Sequence, residues 1–280
     1  EETDPRTLDR LKTIPDGEVA SVRLGNWFPD DKINGEGTGE AIEYKYEVVA
    51  GSSDIMVLNY AIVMECPTHG NDPMFQLEIL DSYGQQIEPA DCFSANFAPE
   101  SAEPEDLEGW TLIKDEEFGA ILPEGVIRDE QNTPIIWKDW TKVSISLRDY
   151  VGQSLIIRFT TKDCLPAVHW AYAYFTIGCE TGAIKGIGCG NYDTDTISAP
   201  EGFYYKWYKE TAPETIISTE NYIVLDKTDA DIYIVELLPK TGTYCSFKLT
   251  ADPNPHFPIA LAEVDTIYSA DCQQIVQWKK

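Results

Sequence analysis

Apolar and polar residues alternate along most of this chain. Between positions 41 and 49, Ile42, Tyr44, Tyr46 and Val48 alternate with charged residues, which is the period-two pattern of a strand with one buried face. Five further segments show the same alternation: 75–79, 143–147, 155–161, 203–208 and 245–249. The segment 55–63 is apolar on both sides for part of its length, which predicts a strand buried on two faces. We therefore predict an all-β protein.

Turn-forming residues separate these segments. Asn71-Asp72-Pro73 and Asp81-Ser82-Tyr83-Gly84 let neighbouring strands reverse direction, so we predict an antiparallel sandwich. The stretch from 99 to 133 is rich in Glu, Asp and Pro and predicts a long surface excursion. Asp4-Pro5 predicts the start of a short helix over residues 6–12, because aspartate is a good N-cap and proline suits the first helical position.

A glycine-rich connection between positions 179 and 190 predicts a domain boundary. We assign residues 1–180 to a first β-sandwich and residues 181–253 to a smaller immunoglobulin-like sandwich. The order Cys189, Trp207, Cys245 supports the second assignment, since such domains pack a tryptophan against an inter-sheet disulfide. Residues 254–280 are too few to bury a core of their own, so they either add strands to a neighbour or begin a third module.

Charge narrows the range of partners. The chain has 280 residues, with 48 acidic against 21 basic side chains and a formal net charge of −27. This charge repels phosphate backbones and anionic lipid surfaces, so nucleic acid is excluded as an expected partner. The longest nearly unbroken apolar stretch, residues 167–179, falls short of the roughly 20 residues that a membrane helix needs, so we expect no membrane insertion.

Cysteine usage favours disulfides. No two of the seven cysteines have the C-x-x-C spacing of a zinc knuckle or a thioredoxin-like motif. We predict a Cys189–Cys245 disulfide. Cys66 and Cys92 both lie near strand ends beside the turn at Gly84, so they pair with each other, or one of them pairs with Cys164. An unpaired Cys272 would fit a third module that begins in residues 254–280.

Two sets of motifs stand out in the first part of the chain. The first set is Ile14-Pro15-Asp16-Gly17, Ser21-Val22-Arg23-Leu24-Gly25-Asn26, Ala41-Ile42-Glu43-Tyr44, Tyr60-Ala61-Ile62-Val63, Pro67, His69, Pro73 and Phe75. The second set is Trp137-Lys138-Asp139-Trp140-Thr141, Tyr150-Val151-Gly152-Gln153, Arg158-Phe159-Thr160-Thr161-Lys162-Asp163-Cys164 and His169-Trp170-Ala171-Tyr172-Ala173-Tyr174. Together they resemble the jelly-roll repeats of Bacteroidetes-type surface and gliding-motility-associated proteins, which are commonly followed by immunoglobulin-like or PKD-like modules. The resemblance covers roughly residues 14–179.

The resemblance implies a jelly-roll β-sandwich followed by a smaller immunoglobulin-like β-sandwich. It also implies export to the cell surface or extracellular space as part of a long modular protein, whose further modules become expected partners. Ala199-Pro200-Glu201-Gly202-Phe203 with Trp207 is similar to the module that follows the repeat. The repeat usually has two glycines before its histidine, whereas this chain has Ala167 and Val168 before His169. The resemblance implies no catalytic residues.

Two kinds of chemistry compete with simple binding. Cys164 and His169 could form a nucleophile and its base, but a spacing of five residues across a turn is weak support, and we expect no enzyme activity. We expect no cofactor, and calcium, which takes oxygen ligands from carboxylates, is the alternative. Its candidate ligands are Asp106, Glu108, Asp115, Glu116 and Glu117. A solvated acidic surface is the preferred interpretation of this group.

Sugar rings present apolar C–H faces on which exposed aromatic side chains stack. The candidate ligand-binding residues are Trp110, Trp137, Trp140 and Trp170. We expect Trp110 to be the exposed member, because it follows an acidic stretch. The function that we expect is a non-catalytic surface adhesion or binding module for an extracellular glycan or protein. The alternatives are an accessory region of a larger secreted enzyme and a structural stalk.

Overall fold

The computed structural model describes residues 2–26, 39–65, 73–97, 109–113, 117, 134–164, 169–186, 194–226, 231–240, 245–252, 264–270 and 273–278. The chain divides into two compact units, Glu1–Glu180 and Thr181–Lys280. Cys66, Cys189, Cys272, Asp106, Glu108, Asp115 and Glu116 lie outside the described residues, as does nearly all of the acidic excursion.

Two antiparallel sheets make up the first unit. Its strands are β1 (Val22–Gly25), β2 (Gly39–Glu47), β3 (Ile55–Glu65), β4 (Met74–Leu80), β5 (Ser94–Asn96), β6 (Thr111–Ile113), β7 (Ile135–Ser146), β8 (Ser154–Lys162) and β9 (Ala171–Glu180). The five-stranded sheet has the order β1-β9-β3-β7-β6, and the four-stranded sheet has the order β2-β8-β4-β5. One short α-helix, α1 (Ala90–Phe93), precedes β5.

Aromatic rings pack the space between the two sheets. Phe75 of β4 stacks on Phe159 of β8 with ring centroids 5.8 Å apart, and its ring lies 6.0 Å from that of Phe175 in β9. Phe159 and Phe175 approach each other to 4.4 Å. The contacts of Phe175 with Phe75 and Phe159 join the two sheets, so the predicted all-β sandwich is confirmed.

Strand β2 differs from the prediction of one buried face. Tyr46 is buried, but Ile42 and Tyr44 are 42% and 54% exposed. The reason is that β2 lies at an edge of the four-stranded sheet, with β8 as its neighbour in the sheet order. The alternating pattern therefore identified the strand and its two faces, but it could not show that part of one face of this edge strand lacks cover.

A second buried cluster covers the outer surface of the five-stranded sheet, and we call it the back-face cluster. Its members are Leu11, Ala61, Val63, Ile113, Ile135, Trp137, Trp170, Tyr172 and Tyr174, with Leu8 and Trp140 packed against them. Leu11 and Leu8 come from the N-terminal segment, which therefore lies on this sheet. The cluster explains why β3 is buried on both faces, as its sequence predicts.

The N-terminal segment forms one 3₁₀ turn, Pro5–Thr7, instead of the predicted helix over residues 6–12. Asp4 is the N-cap, and its carboxylate accepts a hydrogen bond of 2.8 Å from the backbone N–H of Arg6. Leu8 and Asp9 then adopt left-handed φ values of 55° and 58°. Because non-glycine residues rarely occupy this region and cannot continue a right-handed helix from it, the helix ends after one turn.

Strand β7 contains a bulge opposite β3. Tyr60 pairs with Thr141 and Ile62 with Lys138, so β7 contains one more residue than β3 between these two pairs. The bulge separates Trp137, which belongs to the back-face cluster, from Val143, which pairs with Leu58 nearer the end of the strand.

The second unit has seven described strands: β10 (Thr194–Ser198), β11 (Phe203–Lys209), β12 (Tyr222–Asp226), β13 (Tyr233–Pro239), β14 (Phe247–Ala251), β15 (Val264–Ala270) and β16 (Gln273–Trp278). They form the sheets β10-β12, β11-β13-β14 and β15-β16. Trp207 is fully buried, and its indole N–H donates a 2.9 Å hydrogen bond to the Glu220 carbonyl. This tryptophan fills a core position, as the pattern around it predicts.

Candidate functional site

The four tryptophans named as candidate ligand-binding residues lie in different environments. Trp137 and Trp170 are buried in the back-face cluster, at 7% and 1% exposure. Trp140 packs against that cluster and donates its indole N–H to the Lys12 carbonyl at 2.8 Å. Trp110 is half-buried, with the Lys138 ammonium 5.7 Å from its ring centroid. The structure therefore gives three of these residues packing contacts, and the sugar-stacking prediction rests on Trp110.

The outward surface of the four-stranded sheet carries mostly polar side chains, and we call it the polar sheet face. It follows from the pleat, because Phe75, Leu77, Phe159 and Ile157 turn inwards and the residues between them turn outwards. Strand register aligns the outward residues in rows. Two of these rows are Glu43, Arg158, Glu78 and Ser94, and Ala41, Thr160, Gln76 and Asn96.

Opposite charges are paired across the polar sheet face. Arg158 Nη2 lies 2.7 Å from Glu43 Oε1, and Arg158 Nη1 lies 3.6 Å from Glu78 Oε2. The hydrogen bond to Glu43 raises the pKa of Arg158. Lys45 Nζ lies 3.5 Å from Glu47 Oε1. This face thus combines carboxylates with paired cations on a chain whose net charge is −27.

A cavity of about 270 Å³ lies at the β2–β8 side of the polar sheet face. Its lining residues are Glu43, Lys45, Ser82, Ser154, Leu155 and Ile156. Ser154 donates a hydrogen bond to Glu47, which lowers the pKa of that carboxyl group. Hydroxyl, carboxylate and ammonium groups around an apolar floor can hydrogen-bond a small polar ligand and also cover its apolar side.

The polar sheet face was not named as a site from the sequence, although the signal was present. Glu43 and Lys45 occupy the polar positions of the alternating segment 41–49, opposite the apolar positions that define the strand. What the sequence does not contain is the strand order, which brings Glu43, Arg158 and Glu78 together from three strands.

Cys164 and His169 lie together, with Cys164 Sγ 3.0 Å from His169 Nδ1. Cys164 is a thiol, which corrects the alternative that paired it in a disulfide with Cys66 or Cys92. Both side chains are buried, at 1% and 7% exposure, so a substrate does not reach the thiol in this arrangement. The Cys164 N–H also donates to the His169 carbonyl at 3.0 Å, so the pair closes the connection between β8 and β9.

Cys92 and Cys245 each take part in a disulfide bond. Their predicted partners, Cys66 and Cys189, lie outside the described residues, so these two pairings stay predictions. Cys179 is an exposed thiol at the end of β9.

Among the residues that the structure describes, no group of three or more His, Cys, Asp or Glu side chains is placed to hold a metal ion. Glu117, the described member of the acidic calcium candidates, forms an ion pair of 2.6 Å with Arg10. No described helix is long and apolar enough to cross a membrane.

A buried polar network anchors the N-terminal segment to the five-stranded sheet. The hydroxyl groups of Tyr172 and Tyr174 donate to Asp4 Oδ2 at 2.7 and 2.9 Å. Burial, followed by the Asp4 charge, raises the pKa of both tyrosines. Burial also lowers the pKa of Arg6, whose backbone N–H bonds Asp4 Oδ1.

This network predicts a loss of stability in alkaline solution. The folded pKa values of Tyr172 and Tyr174 lie above the unfolded value of about 10, so their contribution is complete below pH 10 and decreases as the pH rises further. We expect Tyr174→Phe to flatten the decrease in unfolding free energy above pH 10, measured by urea titration at several pH values. Tyr83→Phe, at an 86% exposed position, is the control; equal slopes in all three proteins would contradict the prediction.

Comparison with known proteins leaves the family open. No protein-family model matches the chain, and no curated protein matches it. A solved structure with some similarity is the Endo-D glycoside hydrolase domain of Streptococcus pneumoniae R6, at 8% identity and a TM-score of 0.22. The alignment covers 83% of this chain and 37% of the hydrolase, so this chain spans well under half of that protein. A similarity at this level identifies neither a family nor a function.

Proposed function

We propose that this protein is a non-catalytic, extracellular binding module whose polar sheet face binds a neutral glycan. The observation that carries the proposal is the alignment of outward carboxylate, guanidinium, amide and hydroxyl groups on one sheet, with Glu43, Arg158 and Glu78 in contact. Such groups recognise polyhydroxylated ligands because each sugar hydroxyl both donates and accepts a hydrogen bond.

The charge distribution favours a neutral ligand over an acidic one. The net charge of −27 repels anions at long range. Arg158 and Lys45 already contact carboxylates, so an anionic sugar would have to compete with Glu43 or Glu47 for them. A neutral hydroxyl can instead bond to the ion pairs in place, and hydrogen bonds to charged groups are stronger than those between neutral groups.

Disulfide bonding supports an extracellular location. Cys92 in the first unit and Cys245 in the second are both disulfide-bonded. Disulfides persist in oxidising compartments and are rare in the cytosol. Extracellular glycans are available in those same compartments, so the location and the proposed ligand agree.

Blocking the polar sheet face tests this function. Thr160 lies in the row next to that of Arg158, between Ala41 and Gln76, so Thr160→Arg should obstruct a flat ligand and weaken binding about tenfold or more. The measurement is a glycan array carrying neutral and acidic oligosaccharides, followed by titration calorimetry on any hit. Val19→Arg adds the same charge at a 94% exposed residue outside this face and should leave binding unchanged.

The outcomes separate three interpretations. Loss of a neutral-glycan signal in Thr160→Arg alone supports the polar sheet face. Loss in Trp110→Ala with retention in Thr160→Arg would place the contact at Trp110 and contradict this site. Silence of the unmodified protein across the array would favour a spacer or stalk over a glycan-binding module.

A further inference from the structure

Residues 2–13 form a self-contained loop. The backbone N–H of Asp4 bonds the Leu11 carbonyl at 2.8 Å, and that of Thr13 bonds the Glu2 carbonyl at 3.0 Å. Within the loop, Thr7 Oγ1 accepts from the Leu11 N–H at 2.9 Å and donates to the Asp4 carbonyl at 2.8 Å. The segment thus brings its own hydrogen bonds, as a preorganised peptide ligand does.

A side chain of the sheet takes part in each described contact between this loop and the five-stranded sheet. Asp4 receives the hydroxyl groups of Tyr172 and Tyr174, and Leu11 is fully buried in the back-face cluster. The Lys12 carbonyl accepts the indole N–H of Trp140. Among the main-chain hydrogen bonds of the described residues outside strands and helices, those of the loop stay within residues 2–13. The loop therefore docks on the sheet and does not extend it as a strand.

Several features favour release of the docked loop and its replacement by another copy of the same segment. Leu8 and Asp9 hold left-handed backbone angles, which cost free energy in residues other than glycine. The indole N–H groups of Trp137 and Trp170, two members of the back-face cluster, are buried without an acceptor in the described structure, which costs free energy in the docked state. Positions 16–20 of the following connection are exposed.

We propose that the back face of the five-stranded sheet is a peptide-binding groove, occupied by the chain's own residues 2–13, and that it accepts the same segment from a second copy of this chain. The recognition elements are the Tyr172–Tyr174 hydroxyl pair for the Asp4 carboxylate and the apolar pocket for Leu11. This groove is lined mainly by apolar and aromatic side chains, unlike the polar sheet face. The proposal does not depend on the proposed glycan site.

The connection sets how far a released loop can travel. Eight residues, 14–21, join Thr13 to Val22 at the start of β1, and fully extended they span roughly 26–29 Å. A released loop therefore stays tethered to β1 and can search the space within that radius for the groove of a second copy. Reciprocal exchange would close a two-fold dimer, which is the usual outcome when identical elements are swapped.

Peptide exchange in the full-length chain tests the groove. A protease recognition sequence inserted after Gly17, in the exposed connection, allows the loop to be cut from the folded protein. A fluorescent synthetic peptide with residues 1–17 is then added, and its incorporation is followed by anisotropy. We expect the labelled peptide to replace the cut loop and the Asp4→Asn peptide to bind about tenfold more weakly or worse.

The Glu2→Gln peptide is the matched control, because it loses the same charge from an exposed side chain and should bind like the parent peptide. Equal binding of all three peptides, unfolding after cleavage, or no exchange over days would each overturn the proposal. Uncut copies labelled with donor and acceptor dyes should then show energy transfer after concentrated co-incubation, and excess peptide should suppress it. Peptide exchange without such transfer would refute the second copy as occupant.

Discussion

Trp207→Ala will cost about 3–5 kcal/mol in unfolding free energy, the range for removing a buried tryptophan. Trp207 is fully buried, and its truncation also leaves the Glu220 carbonyl without the indole donor. Because a small domain has roughly 5–15 kcal/mol in total, this loss removes much of the stability of the second unit. Chemical denaturation followed by circular dichroism, with hydrogen exchange of residues 194–251, measures it.

Tyr204→Ala provides the control on the same strand. Tyr204 is 62% exposed and makes a cation–π contact with Lys240 at 5.7 Å, so its removal should cost less than about 1 kcal/mol. If the two variants lost equal stability, Trp207 would not be the centre of this core.

Phe75→Ala will have an effect of similar size in the first unit, about 3–5 kcal/mol. Phe75 is fully buried and contacts the rings of Phe159, Phe175, Phe97 and Tyr60 at centroid distances of 5.8, 6.0, 5.6 and 6.3 Å. Its removal leaves a cavity between the sheets that four rings cannot fill without leaving their own contacts.

Hydrogen exchange locates the damage from Phe75→Ala. Faster exchange is expected in β3, β4, β8 and β9, whose side chains surround the cavity. Gln76→Ala changes the next residue, which turns outwards on the polar sheet face, and should alter stability by less than about 0.5 kcal/mol. Equal protection in Phe75→Ala and the unmodified protein would show that these rings do not hold the sheets together.

Period-two alternation was sufficient to predict the sandwich, because each strand of a sandwich turns one face to the core. Phe75, Leu77 and Phe159 are all buried as predicted. The predicted burial of Ile42 and Tyr44 was wrong. Alternation distinguishes the two faces of a strand, but it does not distinguish a central strand from an edge strand. Strand order depends on contacts between residues distant in sequence, and a single sequence does not specify them.

The back-face cluster was harder to predict for a related reason. Leu11 and Trp170 belong to one buried cluster although they lie 159 positions apart in the sequence. The Asp4-Pro5 pair correctly indicated an N-cap, but the left-handed residues Leu8 and Asp9 that end the turn have no signature comparable to glycine. The sequence therefore did not show that Trp137 and Trp170 are buried, and both were named as candidate ligand-binding residues. The structure places them in the back-face cluster together with Leu11.

The candidate site was predictable in its chemistry and not in its geometry. Glu43 and Lys45 were recognised as the polar side of a strand. Their relation to Arg158 and Glu78 depends on the register between β2, β8 and β4. Sequence alone favoured aromatic residues as ligand contacts, because a single tryptophan is already recognisable as a candidate for stacking on a sugar. A surface of paired charges becomes recognisable only when the strand order is known.

The bulge in β7 makes chain length at one position more important than residue identity. The extra residue between Lys138 and Thr141 lets one strand serve two hydrophobic cores, with Trp137 facing one and Val143 the other. Deleting a single codon there would preserve almost the whole composition of the strand but reverse the facing of one of its halves. Among related sequences, substitutions in this strand should therefore be far more common than insertions or deletions.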